Sequence, residues 1–323
     1  MRTVIIAAAL LAAPALAADT APAYPPTPSE IIAAAAPSDW VAIDPNDLLV
    51  MTLAPDAGGR ERKVVIQLIS APFSTAWTAN IRTLAKAHWW DGLAIVRAQD
   101  NYVVQWGDPD GDDKAKARAL PAGLKPTSEQ DYSIPLPPPP AAEASGADVR
   151  APAVGFPALR DSYAPSIGYT LTGWPAASDG ESWWPIHCYG AVGVGRDVSP
   201  SAGTGGELYT VIGQAPRHLD RNIAVVGRVI EGIENLSTLP RGTEALGFYA
   251  TPAERTPIVS IRLAKELPAA ERPRFEYLST DSASFAQYVN ARANRHDTFF
   301  IKPAGGVDIC NAPVPVRRVA AAK

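Results

Sequence analysis

The sequence has few of the residues that build metal centres. Of its 323 residues only four are histidine. These residues, His88, His187, His218 and His296, show no H-E-x-x-H motif or other ligand-like spacing. Because a metal site needs several ligands at suitable spacing, we expect none. The G-x-S-x-G and S-x-x-K motifs of serine hydrolases are also missing, and nothing in the sequence calls for a cofactor.

Long runs of positive charge are missing as well. The formal net charge at pH 7 is -4, and the Lys and Arg residues are dispersed along the chain. Proteins that follow a phosphate backbone need clustered basic residues, so nucleic acid is not an expected partner. An anionic membrane surface is excluded as a favoured partner for the same reason.

No apolar run is long enough to cross a bilayer. At the amino terminus, Arg2 precedes an apolar stretch at 4–11, and residues 15–17 form an A-x-A pattern. A membrane span needs about 20 apolar residues, whereas this arrangement is typical of a cleaved secretory signal. We predict a signal peptide over 1–17 and a soluble product located in a bacterial periplasm.

Cysteine is scarce, with Cys188 and Cys310 as its two copies. In an oxidising compartment such a pair can form a disulfide, which here would join a far C-terminal segment to the middle of the chain. Two buried free thiols are the alternative. The sequence leaves both open.

Hydrophobic residues and proline, in contrast, are abundant. Hydrophobic residues make up 47 % of the chain, including 8 Trp, which is enough to fill a core. The 32 prolines are about twice the usual share. Since proline offers no donor to a sheet, we predict a flexible leader at 18–39 and an irregular insertion at about 110–182. The PPPP run in that insertion is typical of a spacer, although a ligand for an aromatic-lined groove is the alternative.

The remaining sequence is rich in short β-like runs. DWVAIDPNDLLVMTLA and RKVVIQLIS flank a PDAGG turn and predict a hairpin, and IVRAQDNYVVQWGDP predicts a second one. TAWTANIRTLAKAHWW has the apolar spacing of a helix, and VIEGIENLST predicts a short one. At least seven strands and two helices without βαβ regularity favour a mainly β fold, a closed antiparallel barrel capped by two helices. This domain would span 40–267, with a C-terminal extension at 268–323.

The second hairpin carries polar residues where a core strand would not. Arg97 ends one apolar run and Gln105 lies within the next. Buried polar groups cost free energy unless they are satisfied, so this hairpin predicts one wall of a site. Val103 and Gln105 are two residues apart, as are Glu207 and Tyr209, and each pair therefore shares one face of its strand.

Four motifs, in order along the chain, resemble the cyclophilin family of peptidyl-prolyl isomerases. WWDGLAIVR resembles the family's Y-x-G-x-x-F-H-R, and YVVQWGDP resembles F-M-x-Q-G-G-D. GGELYTVIG resembles G-S-Q-F-F-I, and RHLDRNIAVVGRVIEGIENL resembles W-L-D-x-x-x-x-V-F-G-x-V-x-x-G. The resemblance covers about 46–265 with the insertion left out.

The resemblance implies a barrel with a proline-binding groove on its surface. Arg97 stands at the family's catalytic arginine, and Gln105 would hold the substrate backbone or orient Arg97. The substrate-binding positions would be Tyr102, Val103, Gly195, Glu207, Tyr209, His218 and Leu219. We call Tyr102, Tyr209 and Leu219 the apolar slot, because they would hold the pyrrolidine ring. Glu207 replaces the family's Gln, His218 replaces its Trp, and a pairing of Glu207 with Arg97 is a further hypothesis.

The function that the resemblance implies is isomerisation of X-Pro bonds in unfolded or partly folded exported polypeptides, by a monomer. Arg97 would stabilise the twisted amide without any covalent intermediate. The alternative is a peptide-binding or chaperone-like domain on the same fold, with little isomerase activity. For Arg97 alone, a surface salt bridge is the competing interpretation, and for Tyr102 and Tyr209 it is core packing.

Overall fold

The structure is a computed structural model that describes residues 24–136 and 153–319. The predicted signal peptide and the PPPP run lie outside the described residues. Within those two ranges the helices are α1 (Pro28–Ala34), α2 (Thr75–Lys86), α3 (Glu234–Ser237) and α4 (Ala283–Ala293). The strands there are β1 (Trp40–Ala42), β2 (Leu48–Leu53), β3 (Arg62–Leu68), β4 (Ala94–Ala98), β5 (Val103–Gly107), β6 (Ile134–Pro135), β7 (Ala153–Val154), β8 (Leu159–Arg160), β9 (Ser166–Thr170), β10 (Pro175–Ser178), β11 (Ser182–Pro185), β12 (Ala191–Val194), β13 (Leu208–Val211), β14 (Val225–Glu231), β15 (Thr256–Leu263), β16 (Phe275–Leu278), β17 (Val307–Asp308) and β18 (Val316–Arg318).

Eight strands close into an antiparallel barrel in the order β12-β13-β5-β4-β15-β2-β3-β14. Both predicted hairpins are present, as the pairs β2–β3 and β4–β5. Strand β2 shows why its sequence is apolar without interruption. Leu49, Met51 and Leu53 lie in the barrel interior, whereas Leu48 and Val50 lie in a second core outside it. A strand buried on both faces needs no polar alternation, and the predicted mainly β barrel is confirmed.

Helices α2 and α3 pack on the barrel, as the sequence predicts. Trp77, Ile81 and Leu84 of α2 are fully buried in the barrel core, and Leu236 of α3 joins the same core. Helix α2 is held from its start, because the hydroxyl of Ser74 donates to the backbone oxygen of Val225 at 2.7 Å. Among the described residues, no helix has the length and apolar character to cross a membrane.

The insertion is more ordered than its proline content indicates. Part of it forms a five-stranded sheet in the order β6-β11-β10-β9-β7. Trp183 and Trp184 of β11 point to opposite faces, as successive strand residues must. Trp183 packs on Phe73, with ring centroids 4.3 Å apart, and Trp184 lies in the second core with Tyr169. Large aromatic area buried on both faces outweighs the weak strand propensity of proline.

The C-terminal extension packs against the barrel and contributes more residues to the second core than any other segment does. Strands β16 and β18 form a sheet with β1, and α4 packs on α1. Helix α1 begins within the leader that the sequence predicts to be flexible, where Thr27 and Glu30 form a capping box and Ile31 is buried. A disulfide between Cys188 and Cys310 joins the extension to the segment before β12.

Candidate active site

Three neighbouring barrel strands place the predicted polar residues side by side. In the β4–β5 hairpin Arg97 lies opposite Gln105, after a bulge that follows Ile95. In the β5–β13 pair Gln105 lies opposite Tyr209. Residues directly opposite each other in antiparallel strands share one face. Arg97, Gln105 and Tyr209 therefore form a row across the sheet, while Leu208 faces the barrel core.

The Arg97 guanidinium is held by three acceptors. Its Nη1 donates to Oε1 of Gln105 at 3.1 Å, its Nε donates to the backbone oxygen of Leu246 at 2.6 Å, and its Nη2 donates to Gln99. A guanidinium carries five N–H donors. Among the described residues these bonds use three of them, which leaves one proton on Nη1 and one on Nη2 for a further acceptor.

Two aromatic rings flank the same guanidinium. The Cζ atom of Arg97 lies 5.5 Å from the Tyr102 ring centroid and 5.1 Å from that of Phe248. Burial lowers the pKa of Arg97, and the nearby Tyr102 and Glu207 oppose that shift. Arginine starts from so high a pKa that it stays charged. The two rings thus hold the charged Arg97 guanidinium beside the apolar slot.

Gln105 separates Arg97 from Glu207. The Nε2 group of Gln105 donates to the carboxylate of Glu207, while its Oε1 accepts from Arg97. Both ends of the Gln105 amide are therefore used, which fixes its orientation. In the described part of the chain Arg97 and Glu207 form no ion pair, so the direct pairing considered from the sequence is replaced by this bridge. Burial raises the pKa of Glu207, and the Gln105 hydrogen bond opposes the rise.

Gly195 provides the space that Glu207 occupies. The Gly195 N–H donates to the Glu207 backbone oxygen at 2.8 Å. A Cβ atom built on Gly195 would lie 2.7 Å from Cγ of Glu207, which is closer than such atoms approach. Gly195 and the carboxylate at 207 thus belong to one local packing arrangement.

The apolar half of the site forms a cluster of its own. Val103 and Tyr209 are buried in it, and Tyr102 and Leu219 pack on it with part of their surface exposed. The exposed His218 ring lies nearly parallel to the Tyr102 ring, at 13° and a centroid distance of 6.2 Å. The structure thus brings the predicted slot residues together, beside the row of polar side chains.

Behind the slot lies a buried hydrogen-bond chain that sequence reasoning missed. Tyr209 Oη lies 2.9 Å from Nε2 of His187, whose Nδ1 lies 3.0 Å from Oδ1 of Asp220. Burial would raise the pKa of Asp220, but His187 and Arg217 outweigh it and the net direction is down. In the tautomer whose Nδ1–H donates to Asp220, Nε2 of His187 is an acceptor. The Tyr209 hydroxyl proton then points to His187, away from the slot.

The chain of contacts continues to a second carboxylate. Arg217 Nε donates to Asp220 at 2.7 Å, and the two Nη atoms of Arg217 donate to Asp161 at 2.5 and 3.0 Å. His187 and Asp220 are 33 residues apart and Arg217 and Asp161 are 56 apart. No local spacing pattern signals contacts over such distances.

The site has the chemistry of amide recognition. Arg97 presents two N–H donors beside an apolar slot lined by Tyr102, Tyr209 and Leu219. In the two ranges that the structure describes, no group of three or more His, Cys, Asp or Glu side chains is placed to hold a metal ion. The arrangement offers hydrogen-bond donors and an adjoining apolar surface to a ligand.

Comparisons with known proteins give a family and a fold. Residues 61–263 match the family model described as cyclophilin type peptidyl-prolyl cis-trans isomerase/CLD. No curated protein matches. The chain is similar to the solved structure of cyclophilin AquaCyp293 from Hirschia baltica, with 19 % identity, a TM-score of 0.62, and coverage of 91 % of this chain and 98 % of that chain. A cyclophilin type isomerase from Cryptosporidium parvum has 11 % identity, a TM-score of 0.39, and coverage of 67 % and 96 %.

Proposed function

Since the chain belongs to the cyclophilin type peptidyl-prolyl cis-trans isomerases, an enzyme family, we propose that it catalyses X-Pro rotation through Arg97 in exported proteins. One observation carries the assignment of the site. Arg97 and Gln105 are hydrogen-bonded to each other on adjacent strands, next to the slot that contains Tyr209. The slot holds the proline ring, and the two remaining N–H groups of Arg97 bind the amide.

The proposed mechanism is weakening of amide resonance. The barrier to rotation about a peptide bond is about 18 to 20 kcal/mol because the C–N bond has partial double-bond character. A donor from Arg97 to the prolyl nitrogen, or to the carbonyl as the bond twists, stabilises the twisted state more than either planar state. Gln105 keeps the guanidinium in place, because Glu207 fixes the amide from its other end.

We propose a periplasmic location. The support comes from the amino-terminal sequence, with its early Arg2, apolar stretch and A-x-A pattern. The disulfide between Cys188 and Cys310 is consistent with an oxidising compartment. The substrates in that compartment would be newly exported polypeptides whose X-Pro bonds limit their folding.

The test compares wild type with Arg97→Ala and Arg97→Lys in a protease-coupled assay on a proline-containing tetrapeptide. We expect Arg97→Ala to lower kcat/KM about 100-fold and Arg97→Lys less, because lysine keeps the charge but loses the planar fork. Arg60→Ala is the matched control, since the Arg60 side chain is 85 % exposed in the β2–β3 turn. No rate above background in wild type would overturn the enzyme assignment. Equal rates for wild type and Arg97→Ala would overturn the site.

A second candidate function is peptide binding with little turnover. The observation that favours it is that every nitrogen of Arg97 already has an acceptor on the protein, from Gln99, Gln105 and Leu246. An acceptor from a substrate must then share a guanidinium that is already engaged. Calorimetric binding of the same tetrapeptide without catalysis would support this candidate, whereas binding with turnover supports the isomerase.

A further inference from the structure

A cavity of about 450 Å³ lies where the barrel, the insertion and the C-terminal extension meet. Tyr169 and Trp174 of the insertion, Val314 of the extension and the Cys188–Cys310 disulfide line it. None of the residues predicted to act in catalysis or to bind the substrate lines it. This volume falls within the range of small-molecule sites, about 300 to 1,000 Å³.

Arg228 of β14 is the one charged side chain among the described residues that line the cavity. Its Nε donates to Oε1 of Gln67 at 2.9 Å, and its Nη1 donates to the backbone oxygen of Gly173 at 2.8 Å. The Arg228 Cζ atom lies 4.5 Å from the Trp174 ring centroid. Its Nη2 is buried without a hydrogen-bond partner among the described residues.

No carboxylate among the described residues pairs with the charge of Arg228. Burial lowers the pKa of Arg228 to about 10, and the group that opposes this shift is the Tyr277 phenol rather than a carboxylate. A partly buried cation without a counter-ion, and a buried N–H without an acceptor, both cost free energy. A carboxylate bound to the Arg228 guanidinium would relieve both costs, because a carboxylate matches a guanidinium with two parallel hydrogen bonds.

The other residues that line the cavity determine which chemical group the anion is attached to. Ile309 and Val314 of the extension, Val229 of the barrel and Trp174 present apolar surface to the cavity. We propose that the cavity binds an amphiphile with one carboxylate, which Arg228 holds, and an apolar chain, which packs between the barrel and the extension. Such a ligand would bind to the folded protein, in which the barrel, the insertion and the extension together line the cavity.

The test is calorimetric titration of the full, disulfide-bonded protein with decanoate and with 1-decanol. The two probes share their apolar chain and differ in charge. We expect decanoate to bind one per chain and about tenfold more tightly than decanol, and Arg228→Met to remove the difference. Arg60→Met, at an exposed side chain, should leave it unchanged. No decanoate binding, equal affinity of the two probes, or an unaffected Arg228→Met variant would overturn the proposal.

If Arg228→Met does not fold, two measurements on other variants decide. Val314→Trp keeps Arg228 but fills the cavity, and it should weaken both probes about tenfold. In wild type, 2-bromodecanoate should quench tryptophan fluorescence, and Trp174→Phe should abolish most of that quenching because Trp174 lines the cavity beside Arg228. Quenching that is independent of Trp174, or undiminished binding in Val314→Trp, would place the ligand elsewhere. All these experiments measure binding of a ligand to the cavity. Their failure would therefore be distinguishable from a failure of the isomerase assay.

Discussion

At the scale of single residues, Gln105 determines how the charges of the site are arranged. Gln105 accepts a hydrogen bond from Arg97 and donates one to Glu207. Its neutral amide therefore lies between the two side chains of opposite charge. Glu207 is the departure from the family's pattern that matters most for charge. Burial raises its pKa, which means that the folded protein disfavours the carboxylate form.

Glu207→Gln should change stability in a pH-dependent way. A carboxyl whose pKa is raised on folding contributes stability that is present below its ordinary pKa and lost as pH rises through the raised value. At pH 7 the Gln variant avoids the buried charge and should be more stable than wild type. Near pH 3.5, below the ordinary Glu pKa, the difference should vanish. Urea unfolding at both pH values measures this.

The control for that experiment is Glu181→Gln, at an exposed position of the β10–β11 turn. It should leave the free energy of unfolding unchanged at both pH values. A Glu207→Gln variant that is less stable than wild type at pH 7, or equally shifted at both pH values, would contradict the burial argument.

His187 should act on catalysis through Tyr209. The Tyr209 hydroxyl lies 2.9 Å from Nε2 of His187, and without His187 this buried hydroxyl would lose its hydrogen-bond partner. We expect His187→Leu to lower kcat/KM about tenfold in the presence of Tyr209 and less than about twofold in a Tyr209→Phe background, where no hydroxyl needs a partner. The four-variant cycle is measured by the peptide assay, at a temperature where circular dichroism shows all variants folded. Equal losses in both backgrounds would mean that His187 serves folding alone.

At the scale of secondary-structure elements, the contact between β12 and β13 shapes the slot. Gly193 lies opposite Tyr209 in this pair. A Cβ atom on Gly193 would lie 2.3 Å from both Cζ and Oη of Tyr209, so the phenol ring passes directly over the glycine. The position of Tyr209 therefore depends on the neighbouring strand as much as on its own.

Gly193→Ala should displace the Tyr209 ring. We expect a loss of about 1 to 3 kcal/mol in the free energy of unfolding, since the ring and strand must shift to relieve the overlap. kcat/KM should fall about tenfold because the slot narrows. Gly155→Ala is the control, since the nearest atom to its added Cβ lies at 3.8 Å. Urea unfolding measures the free energy of unfolding of the two variants, and the peptide assay measures their kcat/KM. A Gly193→Ala variant that behaves like the control would contradict the close contact between Gly193 and the Tyr209 ring.

At the scale of the whole molecule, the insertion and the C-terminal extension enclose one side of the barrel. Their shared core contains Trp184 and Tyr169 from the insertion, Phe285 and Val289 from the extension, and Val65 from the barrel. Apolar side chains from three separate segments are thus buried against one another, which stabilises their packing together.

The disulfide should stabilise this unit strongly. Cys188 and Cys310 are 122 residues apart, and closing a loop of that length in the unfolded chain corresponds to about 5 kcal/mol in the chain-entropy model. Replacing both cysteines with serine should lower the free energy of unfolding by about that amount. Urea unfolding measures it. Dithiothreitol should destabilise wild type and leave the double variant unchanged, and equal midpoints for oxidised wild type and the variant would contradict the prediction.

Much of the barrel and one half of the site follow from local sequence. Turn residues between apolar runs specify the β4–β5 hairpin, and this hairpin alone brings Arg97 opposite Gln105. The two-residue spacing of Val103 and Gln105 assigns them to one face, because strand periodicity is a property of the backbone. Proline content was a poorer guide, since the insertion forms a sheet where buried aromatic residues compensate.

Only the tertiary structure decided which distant groups meet. The hydrogen-bond partner of the Tyr209 hydroxyl, His187, lies 22 residues away, and the partner of His187 itself lies another 11 residues beyond Tyr209, at Asp220. The sequence could not show that Gln105 would separate Arg97 from Glu207. It determined the strand faces by itself, because those depend on neighbouring residues. Hydrogen-bond partners across the fold depend on how separate segments pack. No residue spacing along the chain encodes which distant side chains come into contact.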